Sequence, residues 1–205
     1  MNAGPSRERV TCHRVDRLPR RCITVEPSSH AAVVMAFANT LDIEEGTDAL
    51  REPADLARWL VDNQLAPRTP TVTEADHDRC LRLRGGVREA LGTEDQRAHV
   101  LADADVVMRE LPLLVALSPG AALQPGPELA GTSRALAALA AAVATVRITG
   151  EVDRIKRCPA EDCGWVFWDS TKNRSRRWCS MQVCGNRSKA RAFASRRRPA
   201  QGRTA

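Results

Sequence analysis

Residues 158–191 read CPAEDCGWVFWDSTKNRSRRWCSMQVCGNRSKAR and decide the fold of the C-terminal part of the chain. They contain two cysteine pairs with four residues between the members of each pair, and a glycine directly follows each pair. The four cysteines are Cys158, Cys163, Cys179 and Cys184. Two turns that each carry two cysteines can hold zinc tetrahedrally, with sulfur about 2.3 Å from the metal. The spacing therefore predicts one structural zinc ion, with an iron–sulfur cluster or redox-active thiols as the alternatives.

The cysteine module is too small to fold on apolar burial alone, so the bound metal would supply folding free energy. We expect its small core to consist of four aromatic side chains beside the metal: Trp165, Phe167, Trp168 and Trp178. The chain has seven cysteines, an odd number, and residues 1–10 carry no apolar segment of a secretory signal. These features predict a reduced, cytoplasmic protein and argue against a disulfide framework.

Charge divides the chain into two parts. Residues 1–153 hold 17 Lys/Arg against 22 Asp/Glu, whereas residues 154–205 hold 14 against 3. A basic segment of this density predicts a polyanion partner, which we take to be nucleic acid, most simply duplex DNA, with RNA also open. The expected contacts are Lys172, Arg174, Arg176, Arg177, Asn186, Arg187, Lys189 and Arg191. The alternative interpretation is a solvated cationic face that binds nothing.

The rest of the chain is helical in pattern. Helices are expected over 30–41, 53–65 and 133–148, and two more are expected after Thr73, which begins a capping box, and after Thr93. Gly85-Gly86 within the third helix predicts a kink or a close helix contact. A short hairpin should connect 113–117 with 121–123 around a Ser-Pro-Gly turn.

The expected fold class is mainly α, with a helical N-terminal domain that includes a short β-hairpin, then a small four-cysteine zinc module with a C-terminal basic helix. The predicted units are a flexible leader, 1–29, with a short strand at 22–25, a helical domain, 30–150, and a zinc module, 155–198. A disordered tail, 199–205, would end the chain.

Residues 158–191 closely resemble the CGNR zinc finger, named for the motif that here is Cys184-Gly185-Asn186-Arg187. In that family the finger follows a helical domain called ABATE. Residues 37–40 (Phe-Ala-Asn-Thr), the Trp59 helix and the late alanine-rich helix are similar to that domain. The resemblance implies a bacterial, stress-linked transcription regulator, with the four cysteines as zinc ligands and the surrounding basic residues as DNA contacts.

A regulator would need an input, and the helical domain is the natural place for it. Asn39 and Thr40 end an apolar run, where they would either line a pocket for a small-molecule effector or cap a helix. Paired DNA half-sites would also make a homodimer useful. No phosphate loop, zinc-protease motif or nucleophile elbow occurs, so we expect no enzyme activity.

Two further expectations follow. No apolar run approaches the ~20 residues that a membrane-spanning helix needs, so no membrane association is expected. If nucleic acid is not the partner, the finger is expected to act as an adaptor that docks a protein or an RNA, and an adaptor for protein would keep part of its affinity at high salt.

Overall fold

A computed structural model describes residues 26–92, 96–117 and 122–197. The expected strand at 22–25, the Ser-Pro-Gly turn at 118–120 and the tail 199–205 lie outside the described residues, as does most of the predicted leader. Within the described ranges the chain forms six α-helices and three two-stranded antiparallel sheets, which confirms the expected mainly α fold class.

The helices are α1 (Ser29–Ala38), α2 (Pro53–Asp62), α3 (Glu74–Ala90), α4 (Ala98–Arg109), α5 (Gly131–Ile148) and α6 (Asn186–Arg197). The strands are β1 (Leu41–Asp42), β2 (Thr47–Asp48), β3 (Leu113–Val115), β4 (Leu123–Pro125), β5 (Ile155–Arg157) and β6 (Val166–Trp168). Each strand pairs with its neighbour in sequence, β1 with β2, β3 with β4 and β5 with β6. A turn of 3-10 helix, Glu151–Arg154, leads from α5 to β5.

Local capping explains where three of the helices, α1, α2 and α3, begin. The Thr73 hydroxyl accepts from the Asp76 backbone N–H at 3.1 Å, and the Asp76 carboxylate accepts from the Thr73 N–H in return, so the expected capping box forms. The Ser28 hydroxyl caps α1. The Ser28 backbone and hydroxyl also donate to Glu151, so this end of the predicted leader is part of the helical body.

The prediction that Thr93 caps the fourth helix is wrong, because α4 begins at Ala98 with Arg97 as its N-cap residue. Thr93 itself lies outside the described residues. The backbone N–H of Arg97 donates to the buried Glu89 carboxylate at 2.7 Å. A carboxylate from α3 therefore fixes this helix start, which no local pattern around residue 93 records.

The core of the body lies between α5 and the helices α1, α2 and α3. Its largest fully buried side chains include Phe37, Leu56, Leu83, Leu136 and Leu139. The helices α3 and α4 approach closely at Gly86, because a Cβ added there would stand 2.1 Å from the Ala104 Cβ. The glycine pair thus marks a close helix contact rather than a break in α3.

The zinc module packs directly against this core and is not a separate unit joined by a linker. Ile155 and Val166, on β5 and β6, are buried in the same apolar cluster as the helices. The guanidinium of Arg88 on α3 is buried and donates to the carbonyls of Ala38, Leu41 and Gly164, so it joins α1 to the cysteine module. Over the described ranges, no helix is long and apolar enough to cross a membrane.

Candidate metal centre

The first cysteine pair lies in the turn that joins β5 to β6. The register pairs Arg157 with Val166, and the Cys158 N–H donates to the Trp165 carbonyl at 2.8 Å, which closes the hairpin around the intervening residues. Gly164 has a φ of +61°, a left-handed conformation that is unfavourable for residues with a Cβ atom. The glycine after Cys163 is therefore required by the backbone.

Of the second pair, Cys179 precedes a single π-helical turn, Met181–Gly185, and Cys184 lies within this turn, which runs directly into α6. The Ser180 hydroxyl accepts from the Val183 N–H at 3.3 Å and starts this turn. A Cβ on Gly185 would stand 2.6 Å from the Met181 sulfur, so glycine here leaves room for the Met181 side chain, which would otherwise have to move. The two glycines that the sequence repeats thus serve different purposes.

The four cysteine sulfurs lie within 4.8 Å of one another. The Cys179 sulfur is 3.5 Å from those of Cys163 and Cys184. Tetrahedral ligands about 2.3 Å from zinc are about 3.8 Å apart, so the cluster has the dimensions of a zinc site. Three of the four cysteines are buried and Cys179 is partly so. The thiols fit one zinc ion and form a closed, four-sulfur site.

Crowding and burial disfavour four thiolates in the absence of a cation. Burial raises the pKa of the Cys163 thiol to about 11. Burial also raises the pKa of Cys179, and the hydrogen bonds from neighbouring thiols add to that increase. A bound dication compensates for the repulsion between four neighbouring thiolates, and its binding displaces the thiol protons.

The aromatic residues divide between two cores, which corrects the expectation that all four surround the metal. Phe167 and Trp178 pack with the cysteines, whereas Trp168 packs with the helical body. Alternation along β6 explains this, because successive side chains of a strand point to opposite faces. Trp165 is 40% exposed and belongs to neither core.

Arg187 of the CGNR motif holds the metal site against the body. Its guanidinium donates to Asp162 at 2.9 Å and to Glu44, in the β1–β2 turn, at 2.8 Å. It also donates to the Cys184 sulfur at 3.6 Å. Arg191 pairs with the same Asp162 carboxylate at 2.7 Å. Arg187 and Arg191, which are both expected DNA contacts, are thus in ion pairs within the protein.

A buried carboxylate that the sequence reasoning missed organises the loop between β6 and the second cysteine pair. Asp169 is fully buried and accepts from the Lys156 ammonium at 2.7 Å and from the backbone N–H groups of Thr171 and Arg176 at 2.9 and 2.8 Å. Burial opposes its ionisation, but these donors outweigh burial and lower the pKa of Asp169 to about 2. The signal in the sequence was one aspartate in a basic, aromatic segment.

The remaining expected contacts differ in their surroundings. Arg176 lies over the Phe167 ring, 4.9 Å from its centroid, and donates to the backbone carbonyls of Trp178 and Cys179. Arg177 lies over the Trp178 ring at 5.1 Å. Arg174 pairs with Asp153, and the Asn186 amide donates to the Gln182 carbonyl at 2.9 Å. Lys172 and Lys189 are exposed, and in the described ranges neither has a carboxylate within ion-pair distance.

A small cavity of about 160 Å³ on the finger is bordered by cationic side chains. Its lining residues are Lys156, Arg157, Pro159, Ser175, Arg176 and Arg177. Four of the six are therefore lysine or arginine, and the volume suits a group of a few heavy atoms. The sequence reasoning missed Lys156 and Arg157, because they precede the first cysteine and join the loop residues only through the β5–β6 hairpin.

Asn39 and Thr40 have structural partners. The Asn39 amide donates to the Val166 carbonyl and accepts from the Val166 N–H, both at 2.8 Å. The Thr40 hydroxyl donates to the Phe37 carbonyl and accepts from the Arg84 guanidinium at 3.0 Å. Asn39 thus connects the end of α1 to the zinc module, and its role as a ligand contact stays a prediction.

A helical body joined to a closed four-cysteine site defines the class of the protein as a zinc-finger protein with a helical N-terminal domain. A family model described as "CGNR zinc finger" matches residues 154–197. A second, the ABATE model, described as "Putative stress-induced transcription regulator", matches residues 31–150, and the chain belongs to this family. No curated protein matches the chain.

Proposed function

We propose that the chain is a DNA-binding transcription regulator whose zinc finger contacts the phosphate backbone of duplex DNA. The cavity bordered by Lys156, Arg157, Arg176 and Arg177 carries this proposal, because a phosphate there would meet the positive potential of four cations, two of which also neutralise buried carboxylates: Lys156 that of Asp169 and Arg157 that of Glu89. Phosphate contacts supply most of the sequence-independent affinity of DNA-binding proteins.

The charge of the whole finger supports the same partner. Residues 154–197 contain 12 Lys/Arg and 3 Asp/Glu. A zinc ion held by four thiolates adds two negative charges to this segment, which leaves it strongly cationic. The helical body is acidic in composition, so the attraction for a polyanion is confined to one end of the chain.

The helix α6 supplies an accessible element. Its residues from Lys189 to Arg196 are all exposed, so this part of the helix presents its side chains to solvent. A helix with basic side chains and an exposed surface has the dimensions to enter the major groove. Among the described side chains of α6, the exposed cations Lys189 and Arg196 would reach phosphates, whereas Arg187 and Arg191 would first have to leave Asp162.

The test is a fluorescence-anisotropy titration of the zinc-loaded full chain into random-sequence duplex DNA at several salt concentrations. Affinity should fall steeply with salt, and R177A at the cavity, K172A and K189A should each reduce the log–log slope by about 0.9 for each phosphate that the variant no longer neutralises. The matched control is R51A, which removes an exposed cation from the helical body and should leave the slope unchanged. Binding that is absent at low salt, or equal slopes in all variants, would contradict the proposal.

An adaptor that docks a protein is the second candidate, and exposed apolar side chains on the finger favour it. Met181, Val183 and Phe193 are 51%, 47% and 55% exposed. An adaptor would retain binding at salt concentrations that release DNA. Competition with an RNA duplex in the same assay distinguishes an RNA partner from a DNA partner, because the grooves of A-form RNA differ in shape from those of duplex DNA.

The proposal includes three further expectations. A small-molecule effector would bind the helical body, a homodimer would bind paired half-sites, and the chain would catalyse no reaction. DNA binding requires the cytoplasmic location that the sequence predicts. Sedimentation of the zinc-loaded chain with and without duplex DNA measures the oligomeric state directly.

A further inference from the structure

A large groove runs between α3, α4 and α5, on the helical body and apart from the cysteine site. Its volume is about 600 Å³, which falls within the range of small-molecule sites. Leu83 and Val87 of α3, Leu101 and Met108 of α4, and Ala140 and Val143 of α5 form its apolar walls. The groove is therefore a predominantly apolar site of ligand size.

Small side chains explain why the groove is open. Gly86 holds α3 against Ala104 of α4, while the α5 side of the groove is lined by the alanines Ala140 and Ala144. As a result, Leu101 and Met108 remain partly exposed although they lie on the face of α4 that is turned to the core. Leucines in place of these alanines would fill the space that the chain leaves open.

One end of the groove is cationic. Arg147, in the last turn of α5, lines the groove and is exposed. In the described ranges no carboxylate lies within ion-pair distance of its guanidinium. Gln96 also lines the groove, and its amide donates to the carbonyls of Ala90 and Gly92.

The other polar group of the lining is Asp105. Asp105 lies seven residues beyond Ala98, the first residue of α4. It is therefore about 10 Å along the helix axis from the end of α4 that follows Gln96. Ala90 and Arg147 also border a neighbouring cavity of about 410 Å³ that reaches Lys156 and Asp153, and the Asp153 carboxylate is paired with Arg174. A negative group is therefore favoured at the Arg147 end, where the body meets β5, and disfavoured beside Asp105.

We propose that this groove binds an amphipathic carboxylic acid, with the apolar part between Leu101, Met108 and Val143 and the carboxylate on Arg147. The proposal uses no residue of the zinc finger and does not depend on DNA binding. The apolar walls supply affinity in proportion to the area that they remove from water, and the arginine selects the charge of the ligand.

The experiment is isothermal titration calorimetry of the zinc-loaded full chain with three probes of equal chain length: decanoate, decanol and decylamine. Decanoate should bind at least about tenfold more tightly than decanol, and decylamine more weakly than either. R147Q should reduce decanoate affinity to that of decanol. The matched control R109Q removes an arginine from the last turn of α4, outside the groove lining, and should leave the affinity unchanged.

A second variant tests the apolar part of the site. Ala144 is partly exposed, so A144F should fold and should block the groove for all probes. In a methyl NMR spectrum, decanoate should shift the signals of Leu101 and Met108 in the unmodified chain and not in A144F. The proposal is overturned if no probe binds, if decanol or decylamine binds as tightly as decanoate, or if R147Q or A144F leaves decanoate binding unchanged.

Discussion

Replacing Asn39 with alanine should loosen the zinc finger from the helical body. Asn39 makes two hydrogen bonds of 2.8 Å to the backbone of Val166, one as donor and one as acceptor. Val166 is 1% exposed and lies in the core that the body and β6 share. The variant N39A removes both partners and leaves a buried N–H and a buried carbonyl unpaired.

The magnitude follows from the cost of unpaired buried groups. Each such group costs about 1–3 kcal/mol, and partial access of water to the space left by the amide reduces the sum. We expect N39A to lower the free energy of unfolding by about 2–4 kcal/mol, which is a factor of roughly 30 to 1,000 in the folding equilibrium. Because β6 begins three residues after Cys163, zinc should also leave the variant faster.

Urea unfolding of the zinc-loaded chain measures the first effect, and zinc transfer to a chromogenic chelator measures the second. The control is N63A, since the Asn63 amide makes one local hydrogen bond, 2.9 Å to the Trp59 carbonyl at the end of α2. N63A should cost about 0.5–1.5 kcal/mol and leave zinc release unchanged. Equal midpoints and equal release rates for N39A and N63A would refute the role of Asn39 as a connection between the two units.

Three further predictions concern other parts of the chain. G86A should destabilise it by about 1–3 kcal/mol because the new methyl group meets Ala104, whereas G85A, whose added Cβ meets only Val100 at 3.7 Å, should stabilise α3 by up to about 1 kcal/mol; thermal unfolding of both variants compares them. The Arg97 hydrogen bonds lower the pKa of the buried Glu89 to about 2, so Glu89 stabilises the fold above its ordinary pKa of 4.5 and that contribution is lost as pH falls from 4.5 towards 2. The free energy of unfolding should therefore fall more steeply between pH 6 and pH 3 for the unmodified chain than for E89Q. Equal slopes for the two proteins would contradict this. Elemental analysis should find about one zinc per chain and markedly less in C163S, and iron in place of zinc would overturn the metal assignment. Chelation of the zinc should abolish the near-ultraviolet circular dichroism of Trp178 without unfolding α5.

The metal ligands and the starts of α2 and α3 were predictable because their causes are local. Ligand chemistry and spacing identify the four cysteines, and a side chain three residues away completes the capping box at Thr73. The fold class follows from hydrophobic periodicity in the same way. The start of α4 was not predictable, because its N-cap backbone is held by Glu89 from another helix.

The cationic residues illustrate the limit of composition. The sequence determines that the C-terminal quarter is basic, but it does not show which lysines and arginines are in ion pairs with carboxylates of the same chain. The fold pairs Arg187 and Arg191 with Asp162 and leaves Lys172 and Lys189 exposed. It also brings Lys156 and Arg157 beside the loop cations. Which charges are available to a partner therefore depends on distances between residues far apart in the chain.

The sequence by itself thus determined the zinc ligands, the helical class of the body and the concentration of positive charge near the C-terminus. Only the tertiary structure decided that Asn39 and Arg88 connect the body to the finger and that Arg147 stands at one end of an open apolar groove. The physical reason is that ligand spacing and helix caps act over a few residues, whereas hydrogen bonds, ion pairs and cavities depend on which distant segments the packed core brings together.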